Sequence, residues 1–376
     1  MHKTLSHIRN SSWCKRCWLK RQTVRGKSSQ PRTNSVNIQM LSDTLHRQVF
    51  NSESKSQVDT ENLEIIQAHL EKHGLSDKVM PHIPDIDLKL PKLLGETIQD
   101  HFYAIAKDQI KNYVTLIDDI VQSPLPSLPT KWHFQKGWTK YNEDGSFSSV
   151  AFPEEKGLVF DVEVLLCEGH YPTMATAVSS KHWYSWVSDY VIEDKFRWTN
   201  EPHLQDLIPL ETSHGRCTPP SGKWQPRLII GHNVGFDRSF VKEQYFTQGT
   251  QLRFLDTMSM HIAICGQTSF QRLLYKASRK GSLRKEVIEH ANKQRLFNRA
   301  SSEDWKRVSS MNNLNDVYQL HCGGEPLEKA KRDVFVEGTM ADVRGQFQEL
   351  MAYCANDVKA THEVFTKLWS EFQKRY

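Results

Sequence analysis

Two acidic residues interrupt an apolar stretch of the sequence. Gly157–Cys167 reads GLVFDVEVLLC, which places Asp161 and Glu163 two positions apart. Residues two apart in a strand point to the same face. Two carboxylates on one buried face repel each other unless a cation lies between them, so this pair predicts a metal site. The spacing alone is weak, because Asp59 and Glu61 show the same spacing in a polar run.

A third acid follows another apolar run, Leu228–His232, within the segment NVGFD that ends at Asp237. We expect this Asp at a junction between a strand and a helix, near the sheet edge where binding sites often open. Taken alone, it is explained equally well as the N-cap of that helix.

Tyr353 and Asp357 are four residues apart in a segment with helical periodicity. They therefore share one helical face, one turn apart. Asp357 is a candidate fourth ligand, and the Tyr353 hydroxyl is a candidate for orienting an attacking water. Surface pairs at this spacing are common, so the order and surroundings of all three motifs carry the interpretation.

Carboxylates in this arrangement suit phosphodiester hydrolysis. That reaction needs a nucleophilic water, stabilisation of the phosphoryl oxygens and an exit for the leaving oxygen, which two divalent ions about 3.5–4 Å apart can supply. Mg²⁺ prefers hard oxygen ligands. We therefore expect a site for two Mg²⁺ ions, with Mn²⁺ as the alternative.

The elements around these motifs predict an α/β fold. Residues 43–150 have mainly helical periodicity and are expected to form a small N-terminal domain, whereas residues 151–376 alternate between strand and helix patterns. We expect a mixed sheet flanked by helices. The predicted strands are 157–167, 172–180, 182–188, 228–232 and 253–256. The predicted helices are 38–50, 61–72, 97–107, 109–121, 236–246 and 339–376.

Several other polar and aromatic residues have ordinary structural explanations. Asp256 is expected to cap a helix rather than to act in catalysis. His232 either orders the second motif or is a satisfied core histidine. His362 lies five residues beyond Asp357, off its helical face, and is left out of the metal set. The aromatic residues of 183–186 are expected in the core.

The segment 276–307 carries ten Lys and Arg residues and four acids. It is either a solvated insertion or an arm that contacts DNA phosphates. Ser269, Phe270 and Arg272 lie close to it, and Phe stacking with Arg charge would suit a frayed single strand. With Asn233 and Phe236 of the second motif, they form the set of candidate DNA contacts.

The net charge of +5 comes from the first segment of the chain. Residues 1–42 hold nine Lys and Arg and no acid, so residues 43–376 carry a net charge of −4. A basic, Ser-containing segment without acids is typical of an organelle transit peptide. The alternative is a disordered basic tail that binds nucleic acid.

The remaining bulk features exclude other classes of protein. The seven cysteines are scattered as expected for free thiols, and the CxxC of Cys14 and Cys17 has no second ligand pair at zinc spacing. No apolar run approaches the roughly 18 residues of a membrane span, so we expect no membrane insertion.

In the order FDVE, NVGFD and YCAND, the motifs resemble those of the DEDD exonucleases, in the branch that carries a tyrosine. The resemblance implies a ribonuclease H-like fold, two metal ions and removal of 3′-terminal nucleotides. It also implies that Asp161, Glu163, Asp237 and Asp357 are metal ligands and that Tyr353 positions the water.

Further segments, such as WYSW and RFLDTMSMH, resemble the catalytic subunits of mitochondrial DNA polymerase gamma from about Ile38 onwards. The resemblance implies proofreading of DNA 3′ ends in the mitochondrial matrix nucleoid, with residues 1–42 as a mitochondrial transit segment. Those chains continue into a family A polymerase domain, whereas this sequence ends at Tyr376 without a polymerase palm. We therefore expect a fragment, a truncated isoform or an incomplete gene model that does not synthesise DNA alone. In the related family most contacts with the accessory subunit lie beyond this end point.

Two alternatives stay open at this point. One is a stand-alone DEDD-type exonuclease acting on RNA or DNA, which substrate preference would distinguish. The other is a catalytically silent DNA-binding module, which metal-dependent release of nucleotides would exclude.

Overall fold

The computed structural model describes residues 32–50, 60–76, 93–193, 199, 202–213, 215–246, 249–279, 303–328 and 330–375. Residues 1–31 of the predicted transit segment, including Cys14 and Cys17, lie outside the described residues, as do residues 280–302 of the basic segment. The chain forms two compact units, Met1–Ile110 and Lys111–Tyr376.

The first unit contains helices α1 (Asp43–Phe50) and α2 (Thr60–Lys72) and the start of α3 (Ile98–Gln122). Helix α1 begins later than the predicted residue 38, because the Ser42 hydroxyl caps it by accepting a hydrogen bond from the Leu45 N–H at 3.1 Å.

Helix α3 joins the two helices predicted over 97–107 and 109–121 into one helix of 25 residues. Its start is fixed by a reciprocal cap, in which Thr97 and Asp100 each accept a backbone hydrogen bond from the other. Asp108 lies exposed in the middle of α3 and does not interrupt it. The helix ends two residues before Pro124, since proline disfavours helical geometry in the residue before it.

The second unit is built on a mixed sheet of seven strands in the order β2-β1-β5-β4-β3-β6-β7. The strands are β1 (Gly137–Tyr141), β2 (Phe147–Val150), β3 (Gly157–Glu163), β4 (Met174–Val178), β5 (Trp183–Val187), β6 (Arg227–Gly231) and β7 (Leu252–Asp256). Strands β1 to β5 pair antiparallel, whereas β6 runs parallel to both β3 and β7. A mixed sheet with flanking helices confirms the predicted ribonuclease H-like α/β class.

The hairpin β1–β2 was not predicted from the sequence. It lies within residues 43–150, which we expected to be mainly helical, yet β1 pairs with β5 in the main sheet. The available signal was the Asp144–Gly145 pair, where Gly145 takes a φ of +81°. The predicted domain limit at residue 150 falls inside the second unit, and the division of the chain into domains remains a prediction.

Helices follow the strands in the second half of the chain. They are α4 (Asp189–Glu193), α5 (Gly235–Arg238), α6 (Thr257–Cys265), α7 (Ser269–Arg279), α8 (Leu314–Cys322), α9 (Arg332–Glu337), α10 (Met340–Gly345) and α11 (Phe347–Arg375). The helix predicted over 339–376 is thus two helices, with a break at Gln346 directly after Gly345.

The long helix α11 covers one face of the sheet. It packs against β3, β4 and β6. Val159 of β3 meets Leu350, Met351 and Val358 of α11 in one buried cluster. Leu158, Phe160 and Val162 belong to a separate cluster on the opposite face. The alternation of β3 therefore sends its odd-numbered residues, among them both acids, toward the side that α11 covers.

The helix predicted over 236–246 is wrong beyond residue 238. Val241 forms a bridge with Ile208, and the Lys242 N–H donates to the Ile208 carbonyl at 2.9 Å. This pairing with a distant segment replaces the helical hydrogen bonds, and a 3₁₀ turn follows over Lys242–Tyr245. Within the described part of the chain, no helix is both long and apolar enough for a membrane span.

Candidate active site

Strand β3 supplies the first two carboxylates. Asp161 and Glu163 are the half-buried positions of a strand whose other five residues are buried. They lie opposite Thr176 and Met174 of β4, so the sheet fixes their spacing. As predicted from the alternation of the strand, both are placed on one face.

The parallel pairing of β3 and β6 brings the second motif to the same edge of the sheet. The motif follows β6, so its loop emerges where β3 also ends. Asp237, only 3% exposed, accepts a hydrogen bond from the Val162 N–H at 3.1 Å. Because Val162 lies between Asp161 and Glu163, this contact fixes the third carboxylate beside the first two.

Asp256, at the end of β7, holds the second motif in shape. Its carboxylate accepts hydrogen bonds from the N–H groups of Asn233 and Val234 at 2.7 and 3.2 Å. It also caps α6 through the N–H groups of Met258 and Ser259. Asn233 takes a left-handed φ of +61°, which Asn tolerates better than most residues. Asp256 is therefore the structural cap that the sequence favoured.

Helix α11 brings the third motif to the site. Burial and the negative charges of Asp357, Glu163 and Asp161 raise the pKa of Tyr353 far above its ordinary value, as does a side-chain hydrogen bond with Asp357. Tyr353 is therefore neutral throughout the physiological pH range. The predicted spacing of one helical turn thus produces a Tyr–Asp pair that faces the two acids of β3.

The four carboxylates influence one another strongly. Burial raises the pKa of Asp161 well above its usual range, and the charges of Asp237, Glu163 and Asp357 raise it further. Burial, together with the charges of Asp357 and Asp237, also raises the pKa of Glu163 well above its usual range. Burial raises the pKa of Asp237 to about 7 and that of Asp357 to about 6.

Such a cluster fits a divalent cation. One oxygen each of Asp161 and Glu163 and the sulfur of Cys354 lie within 4.8 Å of one another. All four acidic residues offer hard oxygen donors, and their mutual repulsion in a buried site is relieved by a bound cation.

Two further residues beside the carboxylates were missed by the sequence analysis. The buried Cys354 thiol lies 3.5 Å from Asp161 Oδ2 and accepts a hydrogen bond from the Thr176 hydroxyl at 3.1 Å. Burial still raises the pKa of Glu163 overall, and the charge of Arg332 opposes part of that rise. Cys354 could have been found because it directly follows Tyr353 in YCAND, whereas nothing local to the sequence marks Arg332.

A cavity of about 550 Å³ opens beside the third motif. Its lining includes Tyr353 and Asp357, and also Tyr318, Lys331, Asn356 and Lys359. The lining also includes Glu325, Glu328 and Glu349, and Lys331 forms an ion pair with Glu349, so the acids of this cavity outnumber its two lysines.

The candidate DNA contacts fall in two places. Asn233 is exposed and Phe236 is 48% exposed beside Asp237, with the Phe236 ring packed edge-on against Phe240 at 5.1 Å between centroids. Ser269, Phe270 and Arg272 lie on the first turn of α7. Contact between either group and DNA stays a prediction.

The histidines near the motifs have structural partners. His232 Nδ1 lies 2.9 Å from the Thr257 hydroxyl, and its Nε2 lies 2.8 Å from the Asn312 carbonyl. His362 Nε2 lies 3.1 Å from the Ile120 carbonyl. His362 therefore has a structural partner on α3, and its exclusion from the metal set stays a prediction. Trp183 and Trp186 are buried in the core, as predicted.

Fold and site together define a nuclease of the DEDD class, in which a mixed sheet and one crossing helix gather four carboxylates and a tyrosine. Residues 84–372 match the family described as the DNA mitochondrial polymerase exonuclease domain. The chain belongs to this family, which confirms the predicted class of enzyme, one that acts on DNA and depends on a divalent metal.

Individual relatives agree with that assignment. The chain is 45% identical over 354 residues to DNA polymerase subunit gamma-1 of Xenopus laevis, which covers 93% of this chain and 29% of that protein. Identity is 38% over 369 residues with the mitochondrial gamma-1 subunit of Drosophila melanogaster, a match that covers 95% of this chain and 30% of that protein. It is 34% over 357 residues with DNA polymerase gamma of Saccharomyces cerevisiae, covering 94% and 27%. The chain thus spans about 30% of the length of the curated relatives it matches.

Proposed function

We propose that this chain removes 3′-terminal nucleotides from DNA, with a preference for mismatched ends, as the proofreading exonuclease of a mitochondrial DNA polymerase. The observation that carries this proposal is the convergence of four carboxylates from β3, α5 and α11 on one site.

Asp161, Glu163, Asp237 and Asp357 would hold two divalent ions. Mg²⁺ is the first candidate because the carboxylate donors are all hard oxygens, and Mn²⁺ is the alternative. When bound, the ions supply activation of the attacking water and stabilisation of the departing 3′ oxygen.

Tyr353 orients the attacking water. Its raised pKa keeps the phenol neutral, so the hydroxyl can both donate and accept a hydrogen bond. The hydrogen bond between Tyr353 and Asp357 uses one of these two roles of the hydroxyl and leaves the other role for the attacking water. Tyr353 therefore acts as a positioning group rather than as a base.

The preference for mismatched ends follows from access to the site. The terminal nucleotide must leave its duplex to reach the carboxylates, and an unpaired base needs less free energy to do so. The exposed ring of Phe236, next to Asp237, would stack on that base. Asn233 lies on the same loop. Ser269, Phe270 and Arg272 would contact the strand further from its end.

The wider setting is proposed from the relatives, whose names include mitochondrial DNA polymerases. We place the activity in the mitochondrial matrix nucleoid, with residues 1–42 as the targeting segment. Residues 43–150 would form the N-terminal domain and residues 151–376 the exonuclease domain. An accessory polymerase subunit is a candidate partner.

The test is a nuclease assay on the purified 376-residue chain with a 3′-mismatched primer–template and Mg²⁺. Stepwise 3′ shortening should be lost in the variant Asp161→Ala/Glu163→Ala and in excess chelator. The matched control Asp59→Ala/Glu61→Ala removes the same spacing of acids in the polar run and should retain full activity.

Each other result has a defined meaning. No shortening by a folded wild type would refute the catalytic proposal and favour a DNA-binding module. Shortening of RNA at an equal or higher rate than DNA would favour a stand-alone nuclease. Equal rates on matched and mismatched ends would contradict proofreading.

A further inference from the structure

A second cluster of metal-ligating side chains lies on helices α6 and α8. His261 Nδ1 and His321 Nε2 are 3.0 Å apart. Cys265 Sγ lies 3.3 Å from His261 Nδ1 and 3.7 Å from His321 Nε2. None of these residues takes part in the exonuclease site described above.

The distances match three corners of a tetrahedral zinc site. Zinc binds imidazole nitrogen at about 2.0–2.1 Å and thiolate sulfur at about 2.3 Å. With tetrahedral angles, ligand nitrogens then lie about 3.3–3.4 Å apart, and nitrogen and sulfur about 3.5–3.6 Å apart. The three observed separations lie within about 0.4 Å of these values.

The ligands come from rigid elements. His261 and Cys265 are four residues apart on α6 and therefore share one helical face. His321 lies near the end of α8. Both helices pack against α11. The three donor atoms are therefore held together by the fold without any rearrangement.

The chemical state of the donors also suits a metal. Burial lowers the pKa of His261 to about 4 and lowers that of His321, so both rings are neutral at physiological pH, the form that binds metals. Burial raises the pKa of the Cys265 thiol, but the charge of Arg375 acts in the opposite direction. A bound cation would deprotonate the thiol fully.

A cavity of about 580 Å³ borders the cluster and is lined by both Cys265 and His321. It leaves room for a water as the fourth ligand. With two imidazoles and a thiolate, the donor set is softer than the carboxylates of the exonuclease site and favours Zn²⁺ over Mg²⁺.

We propose that His261, Cys265 and His321 bind one Zn²⁺ ion that joins α6 to α8. Helix α6 is capped by Asp256, the residue whose carboxylate also accepts hydrogen bonds from the N–H groups of Asn233 and Val234. The zinc thereby stabilises the frame around the second exonuclease motif while remaining separate from the reaction itself.

The first test is zinc retention by the full chain carrying Cys14→Ser/Cys17→Ser, which removes the CxxC. After loading with zinc sulfate and dialysis, elemental analysis should find one zinc per chain. Cys265→Ser and His321→Ala should each raise the zinc dissociation constant by more than about 100-fold, since loss of even an outer-shell partner costs about 10–100-fold.

Three variants separate this site from other thiols and carboxylates. Cys322→Ser changes the neighbour of His321 on the same helix and should leave zinc binding unchanged. Asp161→Asn/Glu163→Gln should also retain the zinc. With Co²⁺ as a probe, the thiolate-to-metal charge-transfer band should persist in Cys354→Ser and disappear in Cys265→Ser.

Thermal unfolding distinguishes loss of the zinc site from misfolding of a variant. Zinc should raise the melting temperature of the parent chain but not that of Cys265→Ser, and the two should melt at similar temperatures without zinc. The proposal is overturned if the parent chain retains no zinc and gains no thermal stability from it. Equal zinc retention by Cys265→Ser, or loss of zinc in Asp161→Asn/Glu163→Gln, would also overturn it.

Discussion

Replacing Asp237 by Asn should stabilise the metal-free protein at pH 8. Asp237 is 3% exposed, and burial raises its pKa to about 7 from an ordinary value of 3.8. Each pKa unit corresponds to about 1.4 kcal/mol. Ionised Asp237 therefore lowers the free energy of unfolding by on the order of 4 kcal/mol at pH 8 when no metal is bound. Asn keeps the oxygen that accepts from the Val162 N–H but carries no charge.

The size of this effect depends on pH. A carboxyl whose folded pKa is raised contributes stability that is fully present below about pH 4 and is lost as the pH rises through 7. The advantage of Asp237→Asn should therefore be near zero at pH 4 and greatest at pH 8. Metal should reduce it, because a ligand present at 100 times its dissociation constant stabilises the wild type by about 2.7 kcal/mol. A reversal at pH 8 needs metal above about 1,000 times its dissociation constant, where this stabilisation exceeds about 4.1 kcal/mol.

The assay is denaturant unfolding followed by circular dichroism, in excess chelator at several pH values and again in Mg²⁺. Asp256→Asn is the matched control, because this acid accepts four backbone hydrogen bonds and its substitution should destabilise the protein in both conditions. If Asp237→Asn were less stable than the wild type at pH 8 in chelator, the assumed penalty of the buried charge would be wrong. An advantage that did not change with pH would refute it equally.

Three further predictions concern the site. Tyr353→Phe should lower kcat by about 100-fold or more, as expected for loss of a group that positions the water. The thermal stabilisation by Mg²⁺ should stay unchanged, and an unaltered kcat would remove Tyr353 from the mechanism. Phe236→Ala should raise KM for single-stranded 3′ ends by roughly 5- to 150-fold, because base stacking on an aromatic ring contributes about 1–3 kcal/mol. An effect on kcat alone would contradict the stacking role. Asn233→Val should lower the free energy of unfolding by about 1–2 kcal/mol, because a β-branched residue is strained at a φ of +61°. Asn233→Gly, measured by the same unfolding assay, should not show this loss.

The sequence by itself determined the local arrangement of each motif. Alternation along an apolar strand was enough to place Asp161 and Glu163 on one face, and helical spacing was enough to place Tyr353 and Asp357 one turn apart. These relations depend only on the repeat of the strand and of the helix. The cap at Asp256 was also predictable, because it involves the residues that immediately follow it.

Only the tertiary structure decided how the motifs meet. The parallel pairing of β6 with β3 brings Asp237 to Val162, a residue 75 positions away, and α11 must cross the sheet before Asp357 can face Glu163. The same holds for the end of α5, where pairing with Ile208 overrides helical periodicity.

The hairpin β1–β2 and the histidine–cysteine cluster follow the same rule. Strands β1 and β2 lie in a region whose sequence has mainly helical periodicity. Pairing of β1 with β5 places the hairpin in the sheet. His261 and Cys265 form a recognisable pair on one helix, but His321 joins them only through the packing of α6 and α8. Periodicity fixes neighbours within one element, whereas contacts between elements depend on burial and hydrogen bonding across the whole fold.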